Sequence, residues 1–218
     1  MRLPRSPSPA LALAGLVVLL GAGLAACAGG QRKGPATLTE AERASLIADL
    51  DRSRDAFLAS VKGLSEAQLR WKPAPDRWSV IEVAEHIALA EQRMFDNATV
   101  KMMKEPLADD LRKVLSRDDD RVRKRLADRT NKRNAIEALR PSGRFPTLGA
   151  IVADFSARRA RNSDYVRTTS DDLRSHGGPH PALGALDSYQ WLVLMAAHTG
   201  RHTAQIEELK ADPGFPKS

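Results

Sequence analysis

Two histidines lie four residues apart in a stretch that has the pattern of a helix. His198 and His202 belong to residues 187–210, DSYQWLVLMAAHTGRHTAQIEELK, which contain no proline. Side chains at positions i and i+4 of a helix share one face, with Cβ atoms about 5–6 Å apart. Two imidazoles at this spacing can bind one metal ion, but two ligands do not complete a site.

A third histidine with a similar placement occurs much earlier in the chain. His86 lies in residues 79–104, SVIEVAEHIALAEQRMFDNATVKMMK, at the edge of an apolar stripe with helical spacing. Three neutral imidazoles on a divalent ion leave a position for water or substrate, as in catalytic zinc sites. Imidazole also suits nickel, iron and manganese, so the ligand type leaves the choice among Zn, Ni, Fe and Mn open.

Metal-binding histidines need partners that fix each ring's tautomer and orientation. Glu82, one turn before His86, and Gln205, one turn after His202, have the best spacing for this role. Glu82 also has the spacing of a capping box with Ser79, which would engage it elsewhere. His176 and His180 lie in a loop rich in glycine and proline, where we expect exposed side chains rather than ligands.

Four long segments with helical spacing predict the elements that carry these residues. They cover residues 39–62, 79–104, 147–169 and 187–210. Each begins with a capping residue: Thr39, Ser79, Thr147 and Asp187. Trp71 and Trp78, between the first two segments, are expected to pack at one end of the bundle, and lining a ligand pocket is the alternative. The pattern predicts an all-α four-helix bundle.

A basic segment, 101–146, separates the second and third predicted bundle helices. Its first forty residues contain thirteen basic and eight acidic side chains. We expect a solvated crossover with one or two amphipathic helices. Aromatic residues do not alternate with the basic ones and no recognition motif is present, so we expect no nucleic-acid partner.

The N-terminus predicts export and a lipid anchor. Arg2 and Arg5 precede an uncharged apolar run, and residues 24–27, LAAC, match a bacterial lipobox. We therefore predict a signal peptide at 1–26, lipidation of Cys27, a flexible tether at 27–37, and a domain outside the inner membrane in the cell envelope. An uncleaved anchor or an ordinary secretory signal are the alternatives. Cys27 is the only cysteine, so the folded part has neither a disulfide nor a thiolate nucleophile.

Two of these stretches resemble the DinB-like branch of the DinB/YfiT-like superfamily. The resemblance covers residues 38–213 and is carried by Arg77-Trp78-Ser79, Glu85-His86 and the run AHTGRHTAQI at 197–206. It implies a four-helix bundle with a long crossover between the second and third helices. It also implies a metal bound by one histidine of the second helix and an HxxxH pair of the fourth, which match His86, His198 and His202.

The resemblance also implies an activity. Members with an assigned activity are largely metal-dependent transferases or isomerases that use a low-molecular-weight thiol such as bacillithiol, mycothiol or glutathione. This favours an S-transferase-like enzyme with a small-molecule substrate. Such thiols are chiefly cytoplasmic, so a metal-hydroxide hydrolase is a second option for an exported domain. The alternative is a non-catalytic metal-binding lipoprotein that acts as a sensor or scaffold. The oligomeric state stays open, with a homodimer among the options.

Overall fold

The computed structural model describes residues 37–130 and 134–217. The predicted signal peptide and Cys27 lie outside this part of the chain. In chain order the helices are α1 (Glu40–Val61), α2 (Glu66–Arg70), α3 (Val80–Asp96), α4 (Asp109–Val114), α5 (Asp119–Ala127), α6 (Leu148–Thr168) and α7 (Ser188–Lys210). The four long helices α1, α3, α6 and α7 form the bundle, so the predicted all-α fold class is confirmed.

Capping side chains start the bundle helices where the sequence predicts. The Thr39 hydroxyl accepts the Glu42 N–H, the Thr147 hydroxyl accepts that of Ala150, and the Asp187 carboxylate accepts that of Gln190. These bonds satisfy N–H groups that have no partner within the helix. The second helix is shorter than predicted: α3 ends at Asp96 and continues as a π-helical turn, Asn97–Lys101, and a 3₁₀ turn, Met102–Lys104.

The core lies between the four long helices. Phe57 of α1 and Phe155 of α6 meet edge to face, with ring centroids 4.8 Å apart. Ile87 of α3 and Leu192 of α7 are also fully buried. Among residues 37–130 and 134–217, no helix is both long and apolar enough to cross a bilayer.

Residues 170–186, predicted as a loop, contain most of a β-hairpin. Strand β1 (Gly177–His180) pairs antiparallel with β2 (Gly184–Asp187), and His180 lies opposite Gly184. Gly184 has φ +72°, which glycine adopts without strain. At Gly177 a Cβ atom would lie 2.3 Å from the Leu186 carbonyl oxygen, so only glycine allows the strands this close. The hairpin leads directly into α7 and thereby fixes its start.

The crossover has two helices, α4 and α5, and mostly exposed or half-buried residues, as predicted, and it also packs against the bundle. Val122 of α5 is fully buried in the apolar core. Arg123 donates to the Asp49 carboxylate of α1 at 2.7 Å, and Arg129 forms two hydrogen bonds with Glu208 of α7. The basic residues therefore attach the crossover to the bundle, because their partners lie on the long helices.

Candidate metal centre

Helices α3 and α7 bring His86, His198 and His202 together, as the sequence predicts. We call these three residues the histidine cluster. The ring centroids of His86 and His198 are 5.0 Å apart, and each lies 4.4 Å from that of His202. Each residue offers one ring nitrogen, and the three nitrogens lie within 4.8 Å of one another.

The spacing of these nitrogens fits a metal ion. The Nε2 atoms of His86 and His198 are 3.3 Å apart. Two nitrogens bound to zinc at about 2.0–2.1 Å in tetrahedral geometry lie about 3.3–3.4 Å from each other. The donor set consists of imidazoles only, which suits several divalent transition metals. The residues present thus fit a divalent ion.

The backbone of the crossover fixes the tautomer of His86. Its Nδ1 lies 2.8 Å from the Leu139 carbonyl oxygen, which can only accept a hydrogen bond. In the neutral ring Nδ1 therefore carries the proton and Nε2 presents its lone pair to the other histidines. The prediction that Glu82 orients a ring is wrong: its carboxylate accepts from Ser79 N–H at 2.7 Å and pairs with Lys72.

Glu85 holds the segment that supplies the Leu139 carbonyl. Its buried carboxylate accepts hydrogen bonds of 3.0–3.1 Å from the backbone N–H groups of Ser142, Gly143 and Arg144. Neighbouring residues on α3, Glu85 and His86, thus attach the end of the crossover to the bundle. The sequence resemblance includes Glu85 but gives it no role.

Gln205 lies beside His202, as its spacing predicts. The Nδ1 atom of His202 is 2.9 Å from the Gln205 side-chain oxygen. With the proton on Nδ1, the Nε2 lone pair of His202 is free to bind a metal. This contact is of the kind that orients metal-binding histidines.

All three histidines are held in their neutral form. Burial lowers the pKa of His86, although the hydrogen bond to Leu139 opposes this. Burial and then the neighbouring His202 and His86 keep the pKa of His198 well below its usual range. Burial, assisted by His86, lowers the pKa of His202 to about 3. Neutral rings present free lone pairs, which metal binding requires.

The histidine cluster opens into a cavity of about 820 Å³. His86 is buried, whereas His198 and His202 are half-buried. Trp78 lines this cavity, with its ring centroid 5.0 Å from that of His86. Trp71 instead packs edge to face on Phe215 at 5.5 Å. Trp78 therefore lines the pocket, and Trp71 has the packing role.

The loop histidines have different surroundings. His176 Nδ1 is 2.8 Å from the Asp172 carbonyl oxygen, away from the cluster. His180 lines the cavity, contrary to the expected exposure, since the hairpin carries it there. Its Nδ1 accepts the Ala182 N–H at 3.1 Å, so in the neutral ring the proton is on Nε2. In the part of the chain that the structure describes, the one group of histidine and acidic side chains that could hold a metal ion consists of His86, His198 and His202.

Comparison with known proteins identifies the family. The sequence pattern of the DinB superfamily matches residues 49–206, about 70% of the chain and inside the predicted domain 38–213. The chain belongs to the DinB superfamily. The uncharacterized protein YuaE of Bacillus subtilis (strain 168) is 28% identical over 150 residues, which cover 69% of this chain and 88% of that protein.

A solved structure supports the DinB-superfamily fold. YfiT from Bacillus subtilis, described as a probable metal-dependent hydrolase with an unusual four-helix bundle topology, matches with a TM-score of 0.56. The match covers 84% of this chain and 94% of YfiT at 16% sequence identity. This likeness shows that the two proteins share a fold.

A second buried polar group, which sequence reasoning missed, adjoins the histidine cluster in this DinB-superfamily bundle. Arg159 of α6 and Glu91 of α3 form two hydrogen bonds of 2.8 Å, and both side chains are fully buried. Arg159 also donates to the Leu50 carbonyl oxygen and to the hydroxyl oxygens of Ser53 and Thr199, and the Asn162 amide donates to Glu91. We call Arg159, Glu91 and these partners the arginine–glutamate cluster. Glu91, five residues after His86 on α3, is its only sequence signal, because an acid on an apolar face needs a buried partner.

Proposed function

We propose that this protein is a divalent-metal-dependent hydrolase whose ion is bound by Nε2 of His86, His198 and His202. One observation carries the proposal: one ring nitrogen from each of three neutral imidazoles converges at the wall of an open cavity of about 820 Å³. No acidic side chain takes part in this group within the residues described, so a cation is the ligand that complements it.

The ion would lower the pKa of a water molecule and polarise a carbonyl or phosphoryl oxygen of the substrate. The chain's own residues supply the geometry. His86 is fixed through Leu139, and His202 through Gln205, so two of the three ligands are oriented before the ion binds. His180 lines the same cavity, where an imidazole can take part in proton transfer.

The open cavity favours catalysis over a purely structural metal site. A bracing ion would be sealed by side chains, whereas His198 and His202 are half-buried and reach the cavity. The description of YfiT as a probable metal-dependent hydrolase supports the same reaction class. Hydrolysis needs only water as the second reactant, which suits an exported domain without a cysteine in its folded part.

Transfer of a low-molecular-weight thiol is the second candidate function. A volume of about 820 Å³ is near the upper end of small-molecule pockets, so it has room for a thiol beside an electrophilic substrate. Attachment to the cell envelope through Cys27 is a further part of the proposal. It rests on the lipobox at 24–27, and radiolabelled palmitate incorporation that is lost in Cys27→Ala tests it.

Elemental analysis of the soluble form from Gln31 onward tests the metal site. We expect about one divalent ion per chain, loss of that ion in the His198→Ala/His202→Ala double variant, and metal retention in His176→Ala. Thermal melts of the metal-free proteins show whether the double variant keeps its fold. A wild-type protein that stays metal-free after reconstitution would overturn the proposal. Esterase, amidase and phosphatase substrates, screened beside thiol-conjugation substrates, then separate the two functions.

A further inference from the structure

The cavity that contains the histidine cluster is strongly cationic. Two aspartates, Asp76 and Asp128, line it together with six arginines: Arg77, Arg93, Arg125, Arg129, Arg140 and Arg201. An excess of guanidinium groups in a concave site attracts and orients anions. The lining therefore favours a substrate that carries a negative charge.

Several of these arginines are already engaged within the protein. Arg129 binds Glu208 through two hydrogen bonds and donates a third to the Arg201 carbonyl oxygen. Arg201 in turn donates to the carbonyl oxygens of Leu126 and Asp128, at the end of α5. These two residues hold the crossover in place as a wall of the cavity, so their guanidinium groups are committed to structure.

Arg93 and Asn97 combine three features that point to a ligand. Both line the cavity, and they lie one turn apart. Over residues 37–130 and 134–217, neither side chain has an ion pair or a hydrogen bond. The chain also changes from α-helix to a π-helical turn at Asn97, and such local changes occur frequently at functional sites.

Helix geometry places this pair on the same side of α3 as His86. Arg93 follows His86 by seven residues and Asn97 follows it by eleven, so each lies within about 20° of His86 around the helix axis. Seven residues correspond to about 10 Å along the axis. A small molecule can therefore reach from the histidine cluster to the Arg93 guanidinium within the one cavity.

We propose that Arg93 and Asn97 form an oxyanion-binding subsite, and that the substrate carries a carboxylate or phosphate about 10 Å from the bond that is cleaved. The guanidinium supplies charge and paired N–H donors, and the amide supplies a further donor. The inference rests on the proposed hydrolase function, since it assigns the substrate class of that site: a small anionic ester or amide.

Binding of phenyl phosphate to the metal-free protein, measured by titration calorimetry, tests the subsite. Without an ion the phosphate cannot bind through the metal, and benzyl alcohol is the neutral comparison. We expect phenyl phosphate to bind and benzyl alcohol not to bind. Arg93→Gln should weaken phenyl phosphate at least tenfold, and Asn97→Ala about three- to tenfold. Benzoate, run in parallel, shows whether carboxylate or phosphate is preferred.

Arg77→Gln is the matched control. Arg77 lines the same cavity, and its substitution removes the same charge. It precedes α3, however, and so lies before His86 in the chain, whereas Arg93 follows it. We expect it to change the affinity by no more than about twofold. Equal losses in Arg77→Gln and Arg93→Gln, or no binding of either anion by the wild type, would overturn the subsite.

Metal content separates this inference from the proposed function. Arg93→Gln should keep its stoichiometric metal, because it contacts none of the three histidines. A protein that binds phenyl phosphate through Arg93 but takes up no metal would contradict the hydrolase and keep the subsite. A protein that binds metal but whose affinity for phenyl phosphate is unchanged in Arg93→Gln would contradict the subsite and keep the hydrolase.

Discussion

The histidine cluster and the arginine–glutamate cluster are neighbours with opposite chemistry. Helix α3 contributes His86 to one and Glu91 to the other, and α7 contributes the adjacent residues His198 and Thr199. In the arginine–glutamate cluster every named donor meets an acceptor, and the two charges cancel at 2.8 Å. In the histidine cluster the ring nitrogens of His86 and His198 face one another at 3.3 Å with no carboxylate in the group, and the group opens into a cavity.

This contrast separates polar groups that stabilise the fold from those that bind a ligand. A buried network whose donors and acceptors are all paired has nothing left to offer a ligand. Neutral imidazoles that converge on one point keep ring nitrogens that can bind a cation. The free energy of unfolding of the metal-free protein is a common scale for both clusters, and the following predictions are ordered on it.

The largest effect is expected for Glu91→Ala. The substitution leaves the fully buried Arg159 guanidinium without its counter-charge, which costs about 3–5 kcal/mol. Urea denaturation of the metal-free protein measures the loss. The double variant Glu91→Ala/Arg159→Met should recover part of it, because an apolar pair needs no charge partner. If Glu91→Ala lowers the free energy of unfolding by less than about 1 kcal/mol, the arginine–glutamate cluster does not stabilise the fold as proposed.

A smaller loss is expected for Glu85→Ala, which links the bundle to the histidine cluster. Three backbone N–H groups of residues 142–144 lose their acceptor, at a cost of about 1–3 kcal/mol. The Leu139 carbonyl becomes less constrained, so metal affinity should also fall. Ser65→Ala is the control, because it removes a helix cap away from the cavity. If metal affinity falls equally in both variants, Glu85 has no specific role in the site.

The bundle helices and the histidine pair of α7 could be predicted from the sequence because they depend on local signals. Caps such as Thr39 and Asp187, and the i, i+4 spacing of His198 and His202, are set within one helix. The role of Gln205 follows from the same rule, whereas Glu82 has two local partners and spacing alone does not choose between them. In the structure Glu82 accepts the Ser79 N–H at the helix cap and does not bond to His86.

The residues that complete the site come from pairings distant in sequence. The bond from His86 to Leu139 spans 53 residues, and Arg159 meets Glu91 across 68. The net charge of the crossover predicts an exposed segment, but it does not reveal that Arg123 and Arg129 have partners on α1 and α7. His180 reaches the cavity through a hairpin whose strands are only four residues long. Helical spacing does not predict contacts between residues so far apart in sequence.

The pH dependence of stability provides a third test of the comparison. The pKa of His202 is about 3 in the folded protein and about 6.5 when unfolded, so between these values only the unfolded state takes up the proton. The metal-free protein should therefore be most stable above pH 6.5 and lose up to about 1.4 kcal/mol per pH unit below it from this residue. His202→Gln should show a shallower slope between pH 6 and 4. Equal slopes would mean that His202 is not held neutral.

The smallest effect on unfolding is expected for Gln205→Ala. Gln205 lies partly exposed on α7, so its loss should change the free energy of unfolding by less than about 0.5 kcal/mol. Metal affinity should nevertheless fall about 10–100-fold, because the His202 ring loses the group that fixes its tautomer. Glu82→Ala should give the opposite pattern, with about 0.5–2 kcal/mol lost from the helix cap and unchanged metal affinity. Competition with a fluorescent chelator measures both affinities. If Gln205→Ala binds metal as tightly as the wild type, the orientation of His202 comes from helix packing alone, and the histidine cluster needs only its three rings to bind the ion.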